Sequence, residues 1–189
     1  MFFDLLRGAG FLIYPLGICS FIAVFIVAER AYGLRKDAVL PDDLVDAILE
    51  GKPVQSGRHS VMARIVAYAE THRNDPDAIK AFARLEINRM ERGIPYLDVI
   101  YITSPLLGLT GTVWGLINVF RSVGPAGVPE PAPFMQGVTF ALSATLFGLI
   151  IAMIAFVPGG FLQRKVENYA VKIDLLLERL LTQKTVETK

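Results

Sequence analysis

The sequence has one cysteine and two histidines among its 189 residues, and this scarcity limits the chemistry it can carry. Cys19 has no second cysteine for an intrachain disulfide, and it lies in an apolar run where it is expected to act as a small apolar residue. His59 and His72 stand in a polar stretch without the spacing of a metal site. The sequence shows no nucleophile and base pair and no phosphate-binding glycine loop. We therefore expect no catalytic residue, no metal and no cofactor, and the protein is not predicted to be an enzyme.

The net charge of the sequence is close to zero, and three long runs contain no charged residue. Its net charge is +1, and it has no basic patch of the kind that binds nucleic acid. Its mean hydropathy of +0.47 exceeds that of an ordinary soluble domain. Three runs contain no Asp, Glu, His, Lys or Arg, and each is long enough to cross a hydrocarbon core of about 30 Å: Phe11–Ala28, Val99–Phe120 and Val138–Val157. They predict an all-α integral membrane protein with three transmembrane helices in the lipid bilayer.

The first apolar run is interpreted as a membrane span and not as a secretory signal. It follows Asp4 and Arg7, it is long, and it ends without a small-residue cleavage site. Most Lys and Arg residues lie between the first two runs or after the third, whereas only Arg7 and Arg121 flank the opposite ends. This asymmetry predicts an external N-terminus and a cytoplasmic C-terminus.

Seven segments follow from these patterns. They are an external N-terminus (1–10), transmembrane helix 1 (11–28), a cytoplasmic helical insert (29–97), transmembrane helix 2 (98–120), an external proline-rich loop (121–136), transmembrane helix 3 (137–161) and a cytoplasmic amphipathic helical tail (162–189). Within the insert, a short helix is predicted after Pro41, a loop near 51–60, and a longer helix from Asp75 that runs into the second span with a bend near Gly93. The insert is too small and polar for an independent enzyme core.

The tail carries a regular apolar seam at steps of four and three residues. Its members are Leu162, Val166, Tyr169, Ile173, Leu176 and Leu180. Such a seam predicts packing against a partner helix. The alternative is an amphipathic helix that lies on the membrane surface.

Small residues recur along one side of the second and third spans. The predicted packing residues are Gly108, Gly111, Gly115, Ala141, Ala144, Gly148 and Ala152. In lipid, where water does not drive apolar faces together, small residues stabilise helix pairs because they let the backbones approach closely. The stripes therefore predict tight packing of the two spans.

Hydroxyl side chains in the same spans have two interpretations. Thr112, Thr139, Ser143 and Thr145 either hydrogen-bond to a carbonyl one turn earlier or on a neighbouring helix, or line a narrow wet path between helices. For any one of them taken alone the structural interpretation is favoured. Spacing alone does not choose between the two.

Three stretches carry a family resemblance. "SPLLGLTGTVWGLINVF", Ser104 to Phe120, resembles the second-span signature of the MotA/TolQ/ExbB proton channel family, which reads close to A-P-L-L-G-L-L-G-T-V-W-G. "ALSATLFGLIIAMIA", Ala141 to Ala155, resembles the third-span signature A-L-x-(A/T)-T-A-x-G-L-x-x-A-I-P-A, and the region from Tyr14 to Arg35 is similar to the first span and the turn after it. Three spans and a long helical tail fit the ExbB/TolQ-like branch better than the four-span flagellar branch.

The resemblance implies a fold, partners and site residues. It implies a homo-oligomeric ring, pentameric in this family, in the bacterial inner membrane around an ExbD/TolR-like single-span partner. Proton flow through the assembly would drive work on an envelope or outer-membrane system, with a TonB/TolA-like transducer as a further partner. By the same resemblance, Thr112 and Thr145 match the two family threonines that face the proton pathway, with Ser143, Phe140 and Thr139 adjacent to it.

One departure from the family pattern affects the mechanism. Many members have a glutamate five positions before the third-span threonine, where this sequence has Phe140. The second and third spans then offer no charged side chain, and the resemblance assigns the titrating aspartate to the partner. A proton-channel subunit is therefore predicted, and the alternative is a non-conducting scaffold in which Phe140 blocks the path.

Overall fold

The computed structural model describes residues 10–50, 60–72, 75–121, 123 and 131–187. A short 3-10 turn, Gly10–Leu12, leads into the first long helix. The helices are α1 (Ile13–Gly33), α2 (Lys36–Val39), α3 (Asp42–Glu50), α4 (Val61–Thr71), α5 (Pro76–Glu91), α6 (Ile94–Arg121) and α7 (Pro131–Glu187). The regular elements of the described residues are thus all helical. The predicted loop at 51–60 lies outside the described residues except for Ser60.

Three helical stretches of the described chain are long and apolar enough to cross a membrane. They are Gly10–Gly33, Pro76–Arg121 and Pro131–Thr182, with mean hydropathies of 2.5, 1.4 and 2.5 in their most apolar windows. Large apolar side chains such as Phe21, Leu106 and Met153 are exposed on them, which is typical of helix faces that meet lipid or a neighbouring subunit. The protein is therefore a multi-pass, all-helical membrane protein.

The described chain divides into two compact units. The span unit contains residues 10–28 and 95–159, and the polar unit contains residues 29–94 and 160–187. In the span unit, small residues and a few apolar residues are buried, among them Leu16, Ala23, Ala144 and Ala155. The span unit holds the two segments that resemble the family signatures.

The polar unit is organised by helix caps and an apolar core. The Ser60 hydroxyl accepts from the Ala63 backbone N–H at 3.2 Å, and the Asp75 carboxylate accepts from the Ala78 N–H at 2.9 Å; these bonds satisfy free donors at the starts of α4 and α5. The whole seam of the tail is also buried: Leu162, Val166, Tyr169, Ile173, Leu176 and Leu180. The seam therefore has its packing partners within this chain.

Two boundaries differ from the sequence-based expectation. Residues 131–136 were expected in the proline-rich loop, but α7 already begins at Pro131. Proline is tolerated in the first turn of a helix because the N–H groups there have no intrahelical acceptor. In addition, α5 stops at Glu91 and α6 starts at Ile94, with Gly93 between them at φ +94°, so the expected bend is a complete break.

Candidate functional site

Helices α6 and α7 pack backbone to backbone along their small residues. A methyl group on Gly115 would lie 2.6 Å from the carbonyl oxygen of Gly137 and 2.8 Å from Cβ of Ala141. A methyl group on Gly108 would lie 3.0 Å from both the carbonyl oxygen of Ala144 and Cα of Thr145. The distances at Gly115 are too short for a side chain, and a side chain at Gly108 would require the neighbouring backbone to shift by a few tenths of an ångström.

The rest of the predicted packing stripe continues this contact. Gly111 faces Cβ of Ala144, and Gly148 faces the carbonyl oxygen of Ser104. Ala141 and Ala144 are buried, while Ala152 is half-buried. The small-residue positions of the two spans therefore meet in antiparallel order along the helix pair.

Thr145 makes a hydrogen bond across this contact. Its hydroxyl donates to the carbonyl oxygen of Gly108 at 3.2 Å, and the side chain is half-buried. The absence of a side chain on Gly108 brings its carbonyl within reach of the threonine. The bond places one predicted pathway residue at the interface between α6 and α7.

Thr112 lies on the same side of α6, one turn after Gly108, and is half-buried. Its hydroxyl donates to the carbonyl of Leu109, in its own helix, at 2.6 Å. The structure therefore places the two predicted threonines one helical turn apart along the interface. Their hydroxyls bond to different carbonyls and not to each other.

The pathway-adjacent residues lie in different environments. Ser143 is 1% exposed, and its Oγ has no hydrogen-bond partner among the described residues. Thr139 is exposed and Phe140 is half-buried. Ser104, the first residue of the second-span signature, is 0% exposed and likewise has an Oγ without a partner in the described part of the chain.

Phe140 belongs to an aromatic cluster formed with Phe11 and Trp114. The ring centroids of Phe11 and Phe140 lie 6.2 Å apart, and Phe11 meets Trp114 edge to face at 5.7 Å. Gly10 covers the same ring: its φ is +55°, and a methyl group there would lie 2.5 Å from Phe140. The Phe140 side chain therefore packs against the 3-10 turn that precedes α1 in its own chain.

Sequence reasoning missed a buried carboxylate in the polar unit. Glu86 of α5 is 0% exposed, its Oε2 accepts two hydrogen bonds from the Arg64 guanidinium of α4, and its Oε1 accepts from Arg89 at 2.7 Å. No signal in the sequence marks Glu86, because its burial depends on which helices face each other. Among the described residues, no group of three or more His, Cys, Asp or Glu side chains is placed to hold a metal ion.

Comparison with known proteins agrees with the span signatures. A model of the MotA/TolQ/ExbB proton channel family matches residues 54–174, well over half of the chain. The chain belongs to this family. The matched region contains the second and third spans, so the predicted membership of this family is confirmed. This is a family of channel and transport components and not of enzymes.

Individual relatives place the chain in the ExbB/TolQ-like branch of the MotA/TolQ/ExbB family. It is 30% identical to an ExbB-like biopolymer transport protein of Synechocystis sp. over 80% of this chain and 66% of that protein. It is 27% identical to an ExbB-type biopolymer transport protein of Vibrio cholerae over 90% of this chain and 83% of that protein. It is 36% identical to the Tol-Pal system protein TolQ of Pseudomonas aeruginosa over 44% of this chain and 39% of that protein. The chain thus spans just under two thirds of the Synechocystis relative.

Proposed function

We propose that this chain is the ring-forming proton-channel subunit of an ExbB/TolQ-like motor in the bacterial inner membrane. Identical subunits, five in number, enclose an ExbD/TolR-like single-span partner, and the N-terminus faces outward. The motor couples the proton-motive force to work on an envelope or outer-membrane system, with a TonB/TolA-like protein as transducer. Family membership and the ExbB and TolQ names of the relatives support this proposal.

The observation that carries the proposal is the hydroxyl of Thr145 at the contact between α6 and α7. It bonds to the carbonyl of Gly108 at 3.2 Å, and Thr112 follows one turn further along α6. Both hydroxyls lie in spans without a charged side chain between Val99 and Phe120 or between Val138 and Val157. A hydroxyl can donate a hydrogen bond to water and accept one from an acid, but it does not itself titrate near neutral pH. We therefore assign the titrating carboxylate to the partner's span.

The test is proton flux in vesicles that contain the chain together with a single-span partner bearing an intramembrane aspartate. The wild-type pair should conduct, and either Thr112→Val or Thr145→Val should reduce flux while the subunits still assemble. Thr110→Val is the matched control, because Thr110 lies on the same helix, is exposed, and bonds to the Leu106 carbonyl at 2.9 Å. Partner Asp→Asn should abolish flux. Equal flux in all three threonine variants would reject the assigned pathway.

The aromatic cluster favours a second candidate function, a non-conducting scaffold of the same fold. Phe140 packs against Phe11 and Gly10, so the family's glutamate position is filled by an apolar ring. In a scaffold whose path Phe140 blocks, flux with the partner is absent in the wild type and appears when Phe140→Ala removes the ring. In a conducting ring the wild type shows flux before any change at Phe140. The same vesicle assay therefore separates the two functions.

A further inference from the structure

Ser104 of α6 presents a buried hydroxyl that the packing of the span unit does not explain. Its side chain is 0% exposed, and its Oγ has no hydrogen-bond partner among the described residues. A buried hydroxyl without a partner is destabilising, and leucine or alanine would be favoured in its place. The hydroxyl is therefore a property of this chain that needs an explanation.

The next residue supplies a second polar group in the same turn. Pro105 lies inside α6, which continues unbroken from Ile94 to Arg121. Proline has no N–H, so the carbonyl of Tyr101, four residues earlier, loses its usual helical donor. Within a membrane span, carbonyls freed in this way are satisfied by neighbouring helices, hydroxyl side chains or ordered water. Ser104 is three residues after Tyr101, so the Ser104 hydroxyl and the Tyr101 carbonyl lie on the same face of the helix, about one turn apart.

We propose that the Ser104 hydroxyl and the Tyr101 carbonyl together bind one water molecule within α6. Water suits this pair because it can accept the hydroxyl proton of Ser104 and at the same time donate to the carbonyl oxygen. A side chain of another subunit does not fit, because Ser104 is fully covered by its own chain. An apolar ligand would leave both polar groups unsatisfied.

The water site would extend the row of oxygen atoms along the helix interface. Ser104, Gly108 and Thr112 follow at four-residue steps on one side of α6, and the Gly108 carbonyl is the acceptor of Thr145. The site thus lies one turn before Gly108, on the side toward Asp98 and the start of the helix. A role of this water in the proton pathway rests on the proposed function, whereas the water site itself does not.

Ser143 of α7 is a matched comparison within the same unit. It is also buried, at 1% exposure, and its Oγ also has no partner among the described residues. However, its own backbone N–H remains available to the Thr139 carbonyl, and no proline follows it. The Ser143 hydroxyl therefore lacks the neighbouring freed carbonyl that completes a water site at Ser104.

A double-mutant cycle on the purified full chain in detergent tests the water site. Ser104→Ala should lower the unfolding temperature in the wild-type background, because it removes one of the two groups that hold the water. In a Pro105→Ala background, the introduced alanine restores an N–H donor to the Tyr101 carbonyl, so Ser104→Ala should have a smaller effect or none. Ser143→Ala should not show this dependence on residue 105. A high-resolution structure should show a water oxygen about 2.7–3.2 Å from both Ser104 Oγ and the Tyr101 oxygen.

The opposite results would overturn the proposal. If Ser104→Ala raises the unfolding temperature, the hydroxyl is an unsatisfied group whose removal is favourable. If Ser104→Ala and Pro105→Ala act additively, no shared ligand links the two positions. Because these measurements need neither partner nor flux, the water site can stand even if Thr112→Val and Thr145→Val leave flux unchanged, a result that would reject only the proposed function.

Discussion

The hydroxyl of Thr145 on α7 donates a hydrogen bond to the carbonyl oxygen of Gly108 on α6, at 3.2 Å. Interhelical bonds of this kind in membrane proteins contribute about 0.6 kcal/mol on average and up to about 1.7 kcal/mol. Thr145→Val keeps the shape of the side chain and removes the donor, so it should lower the free energy of unfolding by an amount in that range. Thr145→Ser keeps the donor and should retain proton flux. Unfolding in mixed micelles measures the first effect and vesicle flux the second.

The Thr145→Ser variant tests whether the Thr145 hydroxyl is required for proton flux. If the serine variant conducts and the valine variant does not, the hydroxyl is the group that matters. If both lose flux to the same extent while assembly is intact, the threonine acts through its methyl group and the packing of α6 on α7.

Gly148 should tolerate no side chain, whereas Gly17 should accept one. A methyl group on Gly148 would lie 2.5 Å from the Ser104 carbonyl oxygen, but nothing lies within 4 Å of the corresponding position on Gly17. Gly148→Ala should therefore cost about 1–3 kcal/mol through overpacking. Gly17→Ala should be neutral or stabilising by up to about 1 kcal/mol, because alanine favours the helix. Paired thermal unfolding of the two variants in detergent measures this difference, and equal effects would contradict the close helix contact.

Much of the span unit could be predicted from spacing. Apolar runs indicate where helices cross, and small residues at steps of three and four indicate which sides meet, because both depend only on helical period. Hydrogen-bond partners could not be predicted in this way. Thr112 and Thr145 were matched by resemblance, but spacing does not decide whether a hydroxyl bonds within its own helix, as Thr112 does to Leu109, or across to the neighbouring helix, as Thr145 does to Gly108.

The polar unit was harder to predict because its core is formed by residues distant in sequence. The tail seam was recognised, but its partner was not, and the structure buries Ile173 completely within the chain. A charged residue at Ile173 would therefore destabilise the fold of the subunit itself, and such a variant would not report on assembly between subunits. Helix α4 was not predicted as a separate element of the helical insert, so the contact of its Arg64 with Glu86 could not be predicted either.

Tyr169 should make the polar unit sensitive to alkaline pH. Burial raises the pKa of Tyr169 above its ordinary value, with the positive charge of Lys36 acting in the opposite direction, and the hydroxyl donates to the Leu34 carbonyl at 3.3 Å. Because the folded state holds this proton more strongly than the unfolded state, the contribution is complete below pH about 10 and is lost as pH rises through the folded-state pKa. Tyr169→Phe should cost about 1 kcal/mol at neutral pH and remove this alkaline loss.

The measurement for Tyr169 is thermal unfolding between neutral pH and pH 11, with each variant compared with wild type at the same pH. The difference between wild type and Tyr169→Phe should shrink as pH rises. Lys36 is the relevant neighbour, since it lowers the pKa of Tyr169 and its own pKa is raised by its hydrogen bond to Asp42. Lys36→Met is therefore the control, and it should leave the contribution of Tyr169 in place. A constant difference across the range would contradict the raised pKa.

Glu86 should be the polar side chain on which the α4–α5 pair depends most. Its carboxylate is fully buried and bonded to Arg64 and Arg89, whose side chains are 46% and 62% exposed. Glu86→Gln keeps the shape but removes the charge, and the two partly exposed arginines can turn to water. The cost should therefore be about 1–3 kcal/mol and not the 3–5 kcal/mol of a fully buried pair left unbalanced. Glu91→Gln, an exposed change at the end of the same helix, should stay within about 0.5 kcal/mol. Thermal unfolding that finds the two variants equal would show that the buried ion cluster does not hold α4 on α5.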